Sequence, residues 1–469
     1  MNVGSLALRN LMRNRRRSLA TLLALAIGST AILLFGGYVA NIQATMLTVF
    51  IRDGGHLQIQ HRDYYHYGSG DPAAYGIADY EAIVQAIRAD PALARMARVV
   101  TPMLQFGGVA GNYEAGVSRT VFGVGYVPED VNRMRQWNEL GVRERKPLFK
   151  LEGAPEESAV IGQGVARVLQ LCRPLNVPAE ACPRPTATPE KAPAGAALAD
   201  DIAALAQAEQ PAKAASGAAG GARIELLAGT TRGTPNVAAL TVVAAEPQGF
   251  KEFDEVALIV PLSQAQKLVY GRAPPRATAL LVQLHHTADM PEAAARLRAL
   301  LQRVAPDKPL AVMGFDTLNP FYGQSQNMFD MIFGFIFVLI GGIVLFTVGN
   351  TMNAAVVERT AEVGTLRAVG LRQSGIRALF ITEGAVLGAV GAVVGLLAAL
   401  LFTWAFNAAE FTWVPPSASE RIPLVIMLFS EYRLLAGTTV GLVVIAVMSA
   451  WLPARRAARL PIVDALRHA

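Results

Sequence analysis

Residues 357–370 read Val-Glu-Arg-Thr-Ala-Glu-Val-Gly-Thr-Leu-Arg-Ala-Val-Gly. Glu358 and Glu362 stand one helical turn apart, within reach of a single guanidinium-bearing partner. Arg359 and Arg367 supply the opposite charge, and Arg367 could hold a carboxylate through two parallel hydrogen bonds. Charges so spaced suit docking and do no bond-making. On a helix beginning at residue 357, Val357, Ala361, Thr365 and Leu366 share one face with the charges around it. Gly364 and Gly370 permit close backbone approach or end the helix.

Other reactive residue types fall short of a site. His56, His61 and His66 recur every five residues. On a strand that spacing alternates faces, so they do not converge on a metal. His285 and His286 are adjacent and point apart on a strand for the same reason. Neighbouring Tyr64, Tyr65 and Tyr67 suit a surface or lobe edge. No Gly-x-x-x-x-Gly-Lys-Ser/Thr run occurs in these residues, and 229–233 (Gly-Thr-Thr-Arg-Gly) lacks the lysine. No catalytic triad or paired-carboxylate arrangement is fixed by spacing. Cofactors are therefore expected to be absent from this chain, metals included. Glu383, close to an apolar run, could serve as a functional carboxylate inside a membrane, with helix-end packing or a contact with the 357–370 segment as the alternative.

The elements that position these residues are membrane helices. The chain has 469 residues, 52% hydrophobic and 17% charged, against about 25% charged in a soluble domain. The shortfall is local: residues 19–51, 331–357, 384–409 and 434–454 carry no charge. Each is long enough for a helix that crosses a ~30 Å hydrocarbon core. The first run exceeds the usual apolar length of a cleaved signal and follows a long basic lead, although Ala24 and Ala26 imitate a cleavage site. Residues 5–17 set Leu8, Leu11 and Met12 against arginines, as in a helix lying on a membrane surface.

Lys and Arg placement sets the orientation. Arg9, Arg13, Arg15, Arg16 and Arg17 precede the first run, and Arg359, Arg367, Arg372 and Arg377 lie between the second and third. Arg455, Arg456, Arg459 and Arg467 follow the fourth. Residues 407–433 offer only Arg421 and Arg433, against Glu410, Glu420 and Glu431. Both termini and the 357–370 segment are then cytoplasmic, and the long segment after the first run lies outside. The net charge of +6 reflects these arginines and suits anionic headgroups; it gives no reason to invoke nucleic acid. Cys172 and Cys182 fall in the outer segment, where a disulfide can persist. Closing so short a loop would stabilise by roughly 2–3 kcal/mol; two unpaired thiols are the alternative.

The outer segment reads as an α+β domain in two lobes joined by crossing strands. Strands are expected at 55–60, 99–110, 119–127, 237–245, 256–261 and 277–285. Helices are expected at 79–89, 159–171, 291–304 and from 261–263 through Tyr270. Residues 183–222, rich in Ala, Pro and Gly, read as a mobile insertion, with a short helix possible around 198–208. The first and second runs continue at helical spacing beyond a bilayer's thickness, which implies a stalk. Gly384, Gly388, Gly391 and Gly395 make small-xxx-small pairs for helix packing, within one copy or between two.

Residues 358–370 resemble the cytoplasmic loop of MacB/FtsX-type ABC permeases. Phe380-Ile381-Thr382-Glu383-Gly384 resembles that family's third span. Pro453-Ala454-Arg455-Arg456-Ala457-Ala458-Arg459 and Asp464-Ala465-Leu466-Arg467 resemble its cytoplasmic end, and the lead from Leu8-Arg9-Asn10 to Arg17 its beginning. The resemblance implies a membrane α-helical fold with four transmembrane helices and a large α+β periplasmic domain inserted between helices 1 and 2. The expected division is 1–18 interfacial helix, 19–40 first span, 41–326 periplasmic domain and 327–354 second span. It continues as 355–376 coupling loop, 377–406 third span, 407–432 periplasmic connection, 433–454 fourth span and 455–469 cytoplasmic tail.

The resemblance also implies a role for each matching loop position. Glu358, Arg359, Glu362, Gly364, Leu366, Arg367 and Gly370 would couple to a cytoplasmic ABC ATPase dimer that binds ATP and Mg on its own chain, as in the split-subunit members. Implied partners are a second permease copy or paralogue, membrane lipids, and a periplasmic lipoprotein, chaperone or adaptor. The implied location is the bacterial inner membrane. The function expected first is extraction or export of a lipoprotein or lipid. MacB-like efflux of peptides or drugs and FtsX-like signalling to a cell-wall hydrolase are the alternatives.

Overall fold

The computed structural model describes residues 15–143, 146–183, 222–231, 233–414 and 421–461. The expected surface helix at 5–17 lies almost wholly outside these residues, and the helix expected around 198–208 wholly so. Chain contacts divide the protein into two units. One takes residues up to Leu47 with Pro320–Thr412 and the chain from Pro423; the other takes Thr48–Asn319 with Trp413–Ile422.

Among the described residues, four helices are long and apolar enough to cross a membrane. They are Arg15–Gly54, Pro320–Glu358, Gln373–Ala408 and Tyr432–Arg459, of 40, 39, 36 and 28 residues. At 1.5 Å per residue the first is roughly 60 Å long, twice a bilayer core. Within the helical unit Leu25 and Ile32 of the first helix, Val344 and Val348 of the second, Leu387 of the third and Leu442 of the fourth form one buried cluster. Thr21 and Thr351 join the first two helices through their hydroxyls at 2.7 Å.

The Thr48–Asn319 unit is built on strands whose side chains alternate inward and outward, as the pleat demands. Among the described residues, nine strands join in one sheet. They are β1 (Leu57–His61), β2 (Ala97–Asn112), β3 (Val117–Tyr126), β4 (Ser158–Gly162), β5 (Ala222–Gly229), β6 (Pro235–Glu246), β7 (Ala257–Pro261), β8 (Ala279–Leu284) and β9 (Leu310–Gly314). Their order is β9-β1-β8-β2-β3-β7-β4-β6-β5, and β5 also pairs with β2. The last six strands of that order therefore close into a ring. Phe106, Ile161, Leu226, Leu240 and Leu258 fill it. The open side, β9-β1-β8-β2, carries a second core in which Ile59 and Val282 meet Ile83 and Ile87 of helix Tyr80–Ala89 and Leu297 of helix Met290–Val304. The two lobes share β2, which pairs with β8 over Ala97–Met103 and with β3 from Leu104 onward.

Two expectations need correction. Residues 159–171 are not one helix: β4 comes first and a short helix, Gln163–Val168, follows. Ala159, Val160 and Ile161 are all fully buried between β7 and β6; a short apolar run carries no period that separates strand from helix. The expected 183–222 insertion also runs one residue too far, because Ala222 already opens β5; residues 184–221 lie outside the described residues.

Candidate functional site

The loop between the second and third long helices is shaped by two local breaks. Arg359 leaves helical geometry at φ −110° and ψ 23°, which separates helix Pro320–Glu358 from a short helix, Thr360–Ala368. Gly370 ends the short helix at φ +102°. The Gly370 N–H donates to Arg367 O and the Leu371 N–H to Leu366 O, each at 3.0 Å. That pair of bonds is the Schellman stop, and its positive φ is why glycine stands there.

The inward face differs from the expected one. Val356, Val363, Ile376, Phe380, Ala454, Ala457 and Ala458 form a buried cluster, with Leu366 packed against it. Val357, expected on the apolar face, is 68% exposed, and Thr365 is exposed too. The cause is the break at Arg359, which resets the helical phase so that a count begun at 357 points outward. Arg359 and Arg367 also turn inward. Arg359 Nη1 donates to Glu383 Oε1 at 2.9 Å, with the two side chains 11% and 1% exposed. Arg367 Nη1 donates to the carbonyl of Leu460. Of the expected coupling residues, Gly364 is buried and Arg359, Leu366 and Arg367 are half-buried. Glu358, Glu362 and Gly370 are exposed. The outward residues are Glu358, Glu362 and Thr365, with Val357 and Val369 as exposed apolar positions at either end.

Glu383 lies in the third turn of the third helix because that helix begins at Gln373. Beyond it, the four glycines face two different neighbours within the same copy. A Cβ on Gly384 would come within 2.5 Å of Ala450, and one on Gly388 within 2.6 Å of Ala446, both on the fourth helix. A Cβ on Gly391 would come within 2.5 Å of Leu25, and one on Gly395 within 2.6 Å of the Ala26 carbonyl, both on the first helix. Hydroxyls complete the second contact: Ser29 Oγ donates to Ala392 O at 3.3 Å and Thr30 Oγ1 to Gly395 O at 3.0 Å.

In the other unit, Cys172 and Cys182 are joined as a disulfide. His56, His61 and His66 each meet different rings: Trp137 for the first, Tyr75 for the second, Tyr65 and Tyr67 for the third. His56 is fully buried. Its Nδ1 accepts the Leu284 N–H at 3.0 Å, and burial holds its pKa down at about 4 despite the nearby Glu139 carboxylate. The sequence reading missed the polar joint around it. Arg52 Nε donates to Trp137 O at 2.7 Å, and Gln283 Nε2 to Ile51 O and Met134 O at 3.2 and 3.1 Å. The one signal was Arg52 itself, the first charge after the long apolar run.

Two family models match. The one described as FtsX-like permease C-terminal covers residues 331–462, and the one described as MacB-like periplasmic core domain covers residues 18–177. The ABC transporter permease YtrF of Bacillus subtilis (strain 168) is 31% identical over 31% of this chain and 35% of its own length. The pyoverdine export ATP-binding/permease protein PvdT of Pseudomonas entomophila is 30% identical over 46% of this chain and 31% of its own length. The macrolide export ATP-binding/permease protein MacB of Nitrobacter winogradskyi is 34% identical over 30% and 20%. The matches thus span about a third or less of each of these relatives.

Proposed function

We propose, from an FtsX-like permease region and a MacB-like periplasmic core region in one sequence, that the protein is a permease of the MacB/FtsX type and works as the membrane subunit of an ABC transporter. The 358–371 loop receives the motion of a cytoplasmic ATPase, and the outer domain moves the cargo. One observation carries this reading: the loop helix turns both of its arginines inward and leaves Glu358, Glu362 and Val369 outward. A surface so built meets a basic, partly apolar groove on a partner. ATP and Mg belong to that partner, which binds as a dimer beneath two permease copies in the bacterial inner membrane. ATP can bias the permease only through contacts that differ between the two states, and this face supplies them.

The test reverses the outward charge. Glu358→Lys with Glu362→Lys should reduce the ATPase that co-purifies with the chain by about tenfold or more, since like charges facing each other cost several kcal/mol. Normal co-purification with normal ATP turnover would sink the docking role.

For the cargo, we favour a lipoprotein or lipid leaving the outer leaflet. Phe321, Met328 and Met331, early in the second long helix, are 56%, 47% and 73% exposed, an apolar flank suited to an acyl chain. Export of a peptide or other small molecule is the second reading, and the names of PvdT and MacB favour it. Native mass spectrometry of the nanodisc complex separates them: retained lipid or lipoprotein supports the first, and a co-purified periplasmic adaptor without lipid supports the second.

A further inference from the structure

We propose that the outer edge of β9 is a docking site for a partner protein, which adds an extended, carboxylate-bearing segment to the sheet as a further strand. β9 (Leu310–Gly314) stands at the end of the sheet, with β1 on one side and, among the described residues, no strand on the other. Hydrogen bonds show which main-chain groups remain. The Arg62 N–H donates to Pro309 O at 2.8 Å and the Phe315 N–H to His56 O at 3.0 Å, extending the β1 ladder at both ends. Alternate residues of a strand turn their main-chain groups the same way, so Ala311 and Met313 also face β1. Leu310, Val312 and Gly314 then face outward. The Leu310 N–H donates locally to Lys308 O at 2.8 Å; the other outward groups form the row with which an incoming strand pairs.

The strand does not guard this edge itself. Leu-Ala-Val-Met-Gly carries no charge and no proline, the residues that commonly block strand addition. Ala97–Met103 of β2 likewise has β8 on one side only, but there Arg88 Nη2 donates to the Val100 carbonyl at 2.9 Å. No side chain among the described residues does the same on β9. The charge beside the edge sets the chemistry of its occupant. A cleft of about 450 Å³ lies along Leu310, Ala311 and Val312, beside the end of helix Met290–Val304. Arg62, Arg298 and Lys308 line it, and no carboxylate does. Lys308 is engaged by Asp79 at 3.2 Å and by the Ala78 carbonyl. Arg62 and Arg298 are exposed and, among the described residues, have no ion pair or side-chain hydrogen bond. Arg62 stands opposite Pro309, so a segment with carboxylates at the Leu310 end supplies what the cleft lacks. The site lies wholly in the Thr48–Asn319 unit and stands independently of the permease reading.

The test uses the full chain in a non-ionic detergent and a fluorescein-labelled peptide in which two glutamates precede alternating valine and threonine. The peptide should bind saturably by fluorescence anisotropy, and hydrogen exchange should slow in the 310–314 segment, where the Val312 and Gly314 amides face outward. Methylating alternate amide nitrogens of the peptide should remove that protection and weaken binding about tenfold or more. Arg62→Gln with Arg298→Gln should also weaken it about tenfold or more, the loss expected of two charge-assisted hydrogen bonds, with the thermal midpoint unchanged. Absence of saturable binding overturns the proposal. Equal binding of the methylated peptide also overturns it, since the cleft then takes any anion, a lipid headgroup included, without a strand being added. Equal binding to the double variant overturns the role of charge and the proposal with it. Protection of the same segment without peptide, growing with chain concentration, places a second copy on β9 and overturns the proposal as well.

Discussion

Arg359, Arg367 and His56 are residue types that read as chemistry and are used as structure. Arg367 could grip a partner's carboxylate, yet its Nη1 goes to the Leu460 carbonyl. Arg359 is matched to a carboxylate 24 positions away, a pairing that loop spacing alone could not reveal. His56 illustrates the energetic side. The unfolded imidazole titrates at about 6.5, and burial in the folded chain lowers this to about 4. Between those values the unfolded chain binds a proton that the folded one refuses. The stability due to neutral His56 is therefore complete above about pH 6.5 and lost as pH falls to about 4, by roughly 3 kcal/mol. The thermal midpoint should fall less steeply from pH 7 to 4.5 in His56→Gln than in the wild type. Parallel slopes would show that His56 is not the source.

At the level of elements, the glycines of the third helix are contact surfaces for the first and fourth helices. A side chain at Gly395 would strike the Ala26 backbone, which cannot rotate away. Gly395→Val should cost about 1–3 kcal/mol as an overpacked contact and lower the thermal midpoint in detergent, while Gly334→Val, in open space, should not. Equal midpoints would remove the close-contact role. These helices were legible because charge-free runs of span length have few other uses. So was Tyr80–Ala89, whose Tyr80, Ile83, Val84 and Ile87 all prove buried. The glycine spacing was legible too, but its partners were not, since small-xxx-small fits a neighbour in any chain. The loop face was misjudged because the interruption at Arg359 depends on tertiary contacts that no local pattern records. For β4, all five residues are buried, so the alternation that identifies a strand is missing.

Taken whole, the orientation expected from the arginines puts the 357–370 loop and the Thr48–Asn319 unit on opposite sides of a membrane. A single cysteine at Val369, 84% exposed, should react with an impermeant maleimide only from the cytoplasmic side, and one at Tyr113, 75% exposed, only from the outside. The reverse pattern would refute the orientation read from the arginines. The outer domain has its own whole-body property, which follows from β2. Its 16 residues give one end to the open sheet and the other to the closed ring, so that strand is a structural member of both cores. If either lobe melts, the half of β2 held in the other loses its ordered continuation. The two lobes therefore unfold cooperatively, in a single step, and a load applied to one is borne by the backbone of both instead of opening a hinge between them.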